Sequence, residues 1–334
     1  MSLAILLSAC AATAVCAWAL TWVVLRALVH WRIYDEPTAR SSHDRAKPRG
    51  GGLALIPLIA VVWIATAAWL GTAPEGFWLV LAGAGLLAAV SWLDDLRGLP
   101  VALRLAVQAA AVVLGLAGMD GAGLVFQGVL PPLLDRALTA LAWLWFVNLF
   151  NFMDGIDGIS GVEALCVGAG LALVGMLVAA PAAMIALPAL LAAAALGFLT
   201  WNWAPSKLFL GDVGSIPLGY LLGWLLLLAA TEGQWAAALI LPLYYLADAT
   251  ITLAKRTLHG VPIWLAHREH YYQRAVVGGW THADVSARVL VCNMVLVLCA
   301  WTAASGHPWP ALAAGAAVVA GLLALFSRHA RRGD

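Results

Sequence analysis

The sequence predicts an all-α, polytopic integral membrane protein of about eleven transmembrane helices, with residues 1–334 forming a single domain. Composition is the first reason. Apolar residues make up 63% of the chain and charged ones 10%, and there are 17 tryptophans, far from the make-up of a soluble globular domain. Segmentation is the second, because apolar runs of roughly 20 residues recur along the whole length, each able to span a hydrocarbon core of about 30 Å as a helix. Charge placement is the third: Lys and Arg fall almost wholly in alternate loops.

Spans are expected over 3–30, 51–70, 77–93, 101–118, 135–150, 159–178, 182–200, 214–230, 235–253, 286–304 and 309–326. The first contains Leu7-Ser8-Ala9-Cys10, which imitates a lipoprotein cleavage box. It lacks a basic n-region and its apolar run continues to Val29, so a spanning helix is expected instead. With the N-terminus outside, one face collects Arg32, Arg40, Arg45, Lys47, Arg49, Arg97, Lys207, Lys255, Arg256, Arg268, Arg274, Arg328, Arg331 and Arg332, and the other only Arg136. Arg26, Arg104 and Arg288, near span ends, also lie towards the basic face. Basic short loops stay cytoplasmic, so the C-terminus is expected there. Cys10, Cys16, Cys166, Cys292 and Cys299 all lie in apolar runs and read as small core residues.

Every polar segment with chemical potential falls on that basic face: 35–52 (DEPTARSSHDRAKPRGGG), 92–98 (WLDDLRG), 151–158 (NFMDGIDG), 201–215 (WNWAPSKLFLGDVGS) and 267–274 (HREHYYQR). The densest stretch runs from Asn148 to Gly161 and carries Asn151, Asp154 and Asp157. A charge at the bilayer centre costs about 2.5–3.5 kcal/mol, so these carboxylates need an aqueous edge or a polar cavity. The bland alternative is a calcium-loop lookalike or a polar interhelical plug, but the EF-hand spacing and the bidentate acid at its end are missing. Asp94-Asp95 ends a span, where carboxylates oppose the helix dipole and repel each other, so a cation or basic partner is expected; Arg97 and Arg104 are the plain candidates. Asp212 opens a span and reads either as an N-cap or as part of an anion site.

His267, His270 and Arg274 would share one helix face, with HxxH too sparse for a zinc site. Lys47-Pro48-Arg49 before three glycines lacks the Walker spacing and is no nucleotidase loop. Glu163 and Asp248 read as structural partners for polar groups. Dispersed carboxylates beside basic residues suit Mg²⁺-assisted chemistry on phosphates, since magnesium takes one or two carboxylates plus phosphate oxygens and water. A transporter would place its acids near midplane and often show repeats, and a scaffold for glycan assembly would not need both Asp212 and Asp94-Asp95.

Five motifs in this order resemble the polyprenyl-phosphate N-acetylhexosamine-1-phosphate transferases. That resemblance implies transfer of a sugar 1-phosphate from a UDP-N-acetyl sugar to undecaprenyl phosphate, with release of UMP, in a bacterial inner membrane with the N-terminus periplasmic. It implies Mg²⁺, with Mn²⁺ substituting, held by Asp212 with Asn151 close by. It implies catalytic roles for Asp94, Asp95, Asp154, Asp212, His267 and His270, with Asp94 and Asp95 facing the prenyl phosphate. Asp157, Asn202 and Phe209 would form a uridine pocket, and Lys47, Arg49, Asn148, Arg268 and Arg274 would bind substrate. No nucleic acid is implied, and a homodimer is. His267-Arg268-Glu269-His270 lacks the three-histidine run usual in muramoyl-pentapeptide transferases, so the resemblance points to the branch that starts O-antigen or related surface glycans. The donor would be UDP-GlcNAc, or UDP-N-acetylfucosamine or UDP-N-acetylquinovosamine. A phosphate monoester is mostly dianionic at neutral pH, with its second pKa near about 6, so Asp94 and Asp95 are expected to position acceptor or metal without acting as an obligatory base.

Overall fold

The computed structural model describes residues 1–35, 46–261 and 267–333, and the side chains of 331–333 are not included. Arg40 and Arg45 therefore lie outside the described residues. Helices dominate, as the apolar runs require: α1 (Leu3–His30), α2 (Gly52–Leu70), α3 (Phe77–Arg97), α4 (Val101–Ala117), α5 (Pro132–Phe152), α6 (Ile159–Leu177), α7 (Ala182–Asn202), α8 (Asp212–Ala229), α9 (Trp235–Ile240), α10 (Leu243–Leu258), α11 (Tyr271–Val277), α12 (His282–Ala304) and α13 (Pro308–Gly333). Tyr34–Asp35 (β1) and Lys47–Pro48 (β2) pair antiparallel, Tyr34 opposite Pro48.

Among the described residues nine helical runs are long and apolar enough to cross a membrane, counting Asp212–Ile240 as one, and α4 is a shorter apolar helix. The chain is a multi-pass membrane protein. Non-helical dihedrals at Glu232 and Gly233 divide Asp212–Ile240 into α8 and α9. The span expected over 235–253 is not one helix: it stops at Ile240 and restarts at Leu243 as α10. Pro242 lies at that break, where a residue without an N–H cannot continue the ladder.

Helices α6, α7 and α8 form the interior, α8 being buried almost throughout, while α1 leaves most of its surface outward. Lipid offers no hydrophobic drive between helices, so close packing through small residues holds them. A Cβ on Gly197 would come within 2.2 Å of the Ala14 carbonyl oxygen, so α7 and α1 approach to backbone contact. Buried aromatic hydrogens find carbonyl partners: Trp143 Nε1 donates to Tyr220 O at 2.9 Å and the Tyr220 hydroxyl to Ala111 O at 2.8 Å. These bonds tie α5 and α4 to α8, whose first residue is Asp212.

Candidate active site

The start of α8 has no capping side chain of its own, since its N-cap is Gly211. Asp95, at the end of α3, supplies the cap from outside: its Oδ1 accepts from the Asp212 N–H at 3.1 Å and its Oδ2 from the Val213 N–H at 2.9 Å. A carboxylate that opposes the dipole of its own helix is thereby placed at the favourable end of another. Arg49 completes the pairing, with Nη2 2.7 Å from Asp95 Oδ1 and 2.9 Å from Asp212 Oδ1. Burial works against the Arg49 charge, but Asp212, Asp95 and Asp35 outweigh it and hold the guanidinium above its usual range.

The segment carrying Arg49 is fixed by main-chain bonds. Gly50 and Gly51 N–H groups donate to Phe209 O at 3.1 and 2.9 Å, Gly52 N–H to Leu210 O at 2.9 Å, and Phe209 N–H to Pro48 O at 2.9 Å. Gly52 is obligatory here, because a Cβ on it would fall 2.2 Å from Gly214 Cα.

Asp94 accepts from Arg104 Nη1 at 2.9 Å and from the Leu99 N–H at 2.6 Å. Asp212 also accepts from Asn151 Nδ2 at 3.1 Å, and Asn151 reaches Ser215 Oγ at 2.8 Å. Asp154 sits in the same cavity, its carboxyl pushed up to about 7 by burial, then by the charges of Asp212 and Asp95, against opposition from Ser160 and Arg49. The aspartates are thus together in space.

Asp157 accepts from Lys47 Nζ at 3.1 Å, from the Ser206 N–H at 3.0 Å and from Ser206 Oγ at 2.7 Å, with His282 Nδ1 3.5 Å away. Burial raises this carboxyl, but the bonds from His282 and Ser206 and the Lys47 charge outweigh it and hold it well below the usual range. A depressed carboxylate stabilises the fold fully above its unfolded pKa of about 3.9 and loses that contribution as pH falls towards the folded value. Thermal unfolding of wild type and Asp157→Asn from pH 7 to pH 2.5 is expected to show a gap that is constant above about pH 5 and narrows as the pH falls towards 2.5. A gap that stays constant to pH 2.5 would refute this role.

The histidine segment is held by a residue to which the sequence assigned no chemistry. Asp248, fully buried on α10, lies 3.3 Å from His270 Nδ1 and accepts the Tyr271 and Tyr272 N–H groups at 3.0 and 3.2 Å. His267 packs on His270, ring centroids 4.9 Å apart. Burial, then His270 and Arg256, pushes His267 down to about 4, so it is neutral at pH 7. Arg256 pairs with Glu269.

Two cavities meet at this point. An apolar one of about 730 Å³ runs between α4, α5 and α10, walled by residues such as Leu105, Leu141, Leu144, Trp145 and Leu253, with Arg104, Asn148, His267 and His270 at its polar side. A polar one of about 200 Å³ is lined by Asp35, Arg49, Asp154, Asp157, Phe209, Asp212 and His282. Asn151 and Gln273 line both.

Several expected contacts differ. Neither Asp94 nor Asp95 lines the apolar cavity; Arg104 does, and both carboxylates face protein donors. Asn202 lines neither cavity: its Oδ1 accepts from the Gly158 N–H at 3.1 Å and its Nδ2 donates to Leu208 O at 3.0 Å. Phe209 has Lys47 Nζ 5.1 Å above its ring. Arg268 and Arg274 line neither cavity. Sequence reasoning missed Asp35, Asp248, Gln273 and His282 as site components, and named Arg104 only as a partner for Asp94-Asp95, which it is for Asp94. A carboxylate inside an apolar run was signal enough for Asp248.

Among the described residues no three His, Cys, Asp or Glu side chains are grouped closely enough to cage a metal. The hard oxygens of Asp212, Asp154 and the Asn151 carbonyl suit an ion that draws the rest of its shell from substrate phosphate and water.

The profile of the family described as glycosyl transferase family 4 matches residues 77–230, the stretch from α3 to the end of α8. The chain is 25% identical, over 88% of its length and 83% of the relative's, to a probable undecaprenyl-phosphate N-acetylglucosaminyl 1-phosphate transferase of Bacillus subtilis. It is 29% identical to a decaprenyl-phosphate N-acetylglucosaminephosphotransferase of Mycobacterium tuberculosis, over 89% of this chain and 82% of that one. A phospho-N-acetylmuramoyl-pentapeptide-transferase of Deinococcus radiodurans is 27% identical over 53% of each chain. With the ordered motifs gathered at one site, residues 77–230 are similar to glycosyl transferase family 4, and the relatives matched over most of their length are transferases named for polyprenyl-phosphate or muramoyl-pentapeptide substrates.

Proposed function

We propose that the protein transfers N-acetylglucosamine 1-phosphate from UDP-GlcNAc to undecaprenyl phosphate in a bacterial inner membrane, starting a lipid-linked surface glycan. The observation that carries this is the pair of cavities, one apolar and one polar, that share Asn151 and Gln273 as a common wall beside Asp212. A prenyl chain suits the first and a nucleotide diphosphate the second. The relatives named for N-acetylglucosamine cover 88% and 89% of the chain, against 79% and 53% for two named for a muramoyl pentapeptide, which favours that sugar over a muropeptide. The basic-loop pattern supports a site on the cytoplasmic face, where a soluble UDP-sugar is available.

In this reading an oxygen of the prenyl phosphate attacks the sugar-bearing phosphorus, a new P–O–P bond forms, and the bond to the UMP oxygen breaks. Prenyl phosphate is already mostly dianionic, so positioning and charge neutralisation are what the protein must provide. Arg104 and His270 face the acceptor phosphate, Arg49 faces the diphosphate, and Phe209 offers a ring to the base. Mg²⁺ held by Asp212 beside Asn151 would neutralise diphosphate charge.

Purified protein with UDP-GlcNAc, undecaprenyl phosphate and Mg²⁺ should release UMP, and chelation should abolish it. Release of UDP, or UMP production without acceptor, would overturn the proposal. A narrower test concerns the groove: Leu144→Trp should raise KM for a long-chain acceptor about tenfold and leave KM for UDP-GlcNAc within about twofold, because a binding difference of 1.4 kcal/mol is tenfold. Equal changes in both constants would remove the acceptor from this cavity.

A further inference from the structure

Asp248 accepts five hydrogen bonds in a site with no solvent exposure: from His270 Nδ1, the Tyr271 and Tyr272 N–H groups, the Tyr244 hydroxyl at 3.2 Å and the Thr252 hydroxyl at 3.3 Å. The donors come from α10 itself and from the start of α11. Only a carboxylate fits, because both its oxygens are acceptors, whereas an asparagine would turn an NH₂ towards one of the two main-chain N–H groups. Burying such a charge is costly unless it is fully bonded, and here it is.

The arrangement has a consequence for His270. With Nδ1 donating to Asp248, the ring is fixed in one tautomer and its Nε2 is the free nitrogen. His270 lines the apolar cavity, as do Arg104 and Asn151. Its ring is further clamped by Tyr272, centroids 5.7 Å apart, and the Tyr272 hydroxyl donates to Phe152 O at 3.1 Å at the end of α5. Gly155 admits that hydroxyl, since a Cβ there would lie 2.2 Å from it. The charged and titratable groups around His270 are Asp248 and Tyr244 on α10, and His267 and Tyr272 on its own segment, with Arg256 beyond His267.

We infer that Asp248 is a positioning residue for the transfer: its carboxylate orients His270 so that Nε2 meets the acceptor phosphate at the junction of the two cavities. The inference rests on the transfer reading for what His270 meets, and on geometry alone for how the ring is held.

The test is a double-mutant cycle with Asp248→Asn and His270→Gln, read by UMP release, together with proton NMR of protein carrying ¹⁵N-histidine. Asp248→Asn should lower kcat about 10–100-fold, as for other partners that orient a reacting group, with KM for UDP-GlcNAc little changed. In the His270→Gln background the same substitution should change kcat less than about twofold, because residues acting as a unit are non-additive. An equal loss in both backgrounds would show a merely structural role and overturn the inference. Asp248→Glu, which keeps both acceptor oxygens, should recover part of kcat; no recovery at unchanged thermal stability would also count against it. The wild type should show a downfield Nδ1–H proton that disappears in both single variants. A His270 ring protonated on Nε2 alone would overturn the inference even if the protein released no UMP from any donor, the result that would instead remove the transfer reading.

Discussion

Asp212→Asn is expected to lower kcat for UMP release by about 10²–10³-fold while the protein stays folded. The Asp212 carboxylate is the common neighbour of Arg49 at 2.9 Å, Asn151 at 3.1 Å and, more distantly, Arg104 at 3.8 Å, and it fronts the polar cavity. It is therefore where three otherwise separate motifs exchange charge. An amide keeps the shape and loses the anion, so on the proposed reading metal affinity and phosphate alignment suffer together. Stability should change little, because Arg49 remains paired to Asp95 at 2.7 Å and α8 keeps its cap. The check is UMP release alongside a thermal unfolding midpoint. A loss of activity that only mirrors a loss of folded protein would assign Asp212 to the scaffold.

Arg49→Met should cost both activity and stability. This guanidinium is the cation between Asp95 and Asp212, with Asp35 3.9 Å away, and removing it leaves carboxylates facing one another beneath the Phe209 loop. Breaking a buried pair from one side costs about 3–5 kcal/mol; Arg49 keeps 31% of its side chain exposed, so about 2 kcal/mol is expected. Asp95→Asn removes a charge but also one of the two acceptors that cap α8, so it should cost less stability in the Arg49→Met background, where that charge is stranded, than in the wild type. It should not restore transfer, because the diphosphate still lacks its cation. Unfolding midpoints of the two single variants and the double variant decide this; additive losses would mean that the pair is not coupled.

How much of this was legible in the chain differs by residue. The spans and the grouping of Asp154 and Asp212 followed from carboxylates set in apolar sequence, where an aqueous cavity is the affordable location. Asp95 was visible as an acid at the wrong end of a helix, but the helix it stabilises lies more than a hundred residues further on, and no local pattern names that partner. The same is true of Lys47 and Asp157, joined across 110 positions. Asn202 reads as a polar residue in a loop motif, and only the fold shows its amide spent on Gly158 and Leu208. The break before Leu243 was hidden because 235–253 is apolar enough to pass as one span, although Pro242 marked it. The apolar groove was invisible for a different reason. In a membrane protein apolar side chains face lipid, core and cavity alike, so composition cannot separate Leu144 in a wall from Leu173 on a surface.

The central claim is that one chamber brings a lipid phosphate and a nucleotide diphosphate together so that the phosphorus next to the sugar changes partners. Its most direct test is the fate of the β-phosphate. With [β-³²P]UDP-GlcNAc and undecaprenyl phosphate, the label should pass into the butanol-soluble lipid diphosphate in step with unlabelled UMP. Label remaining in water as UDP, with only the sugar reaching the lipid, would contradict the account.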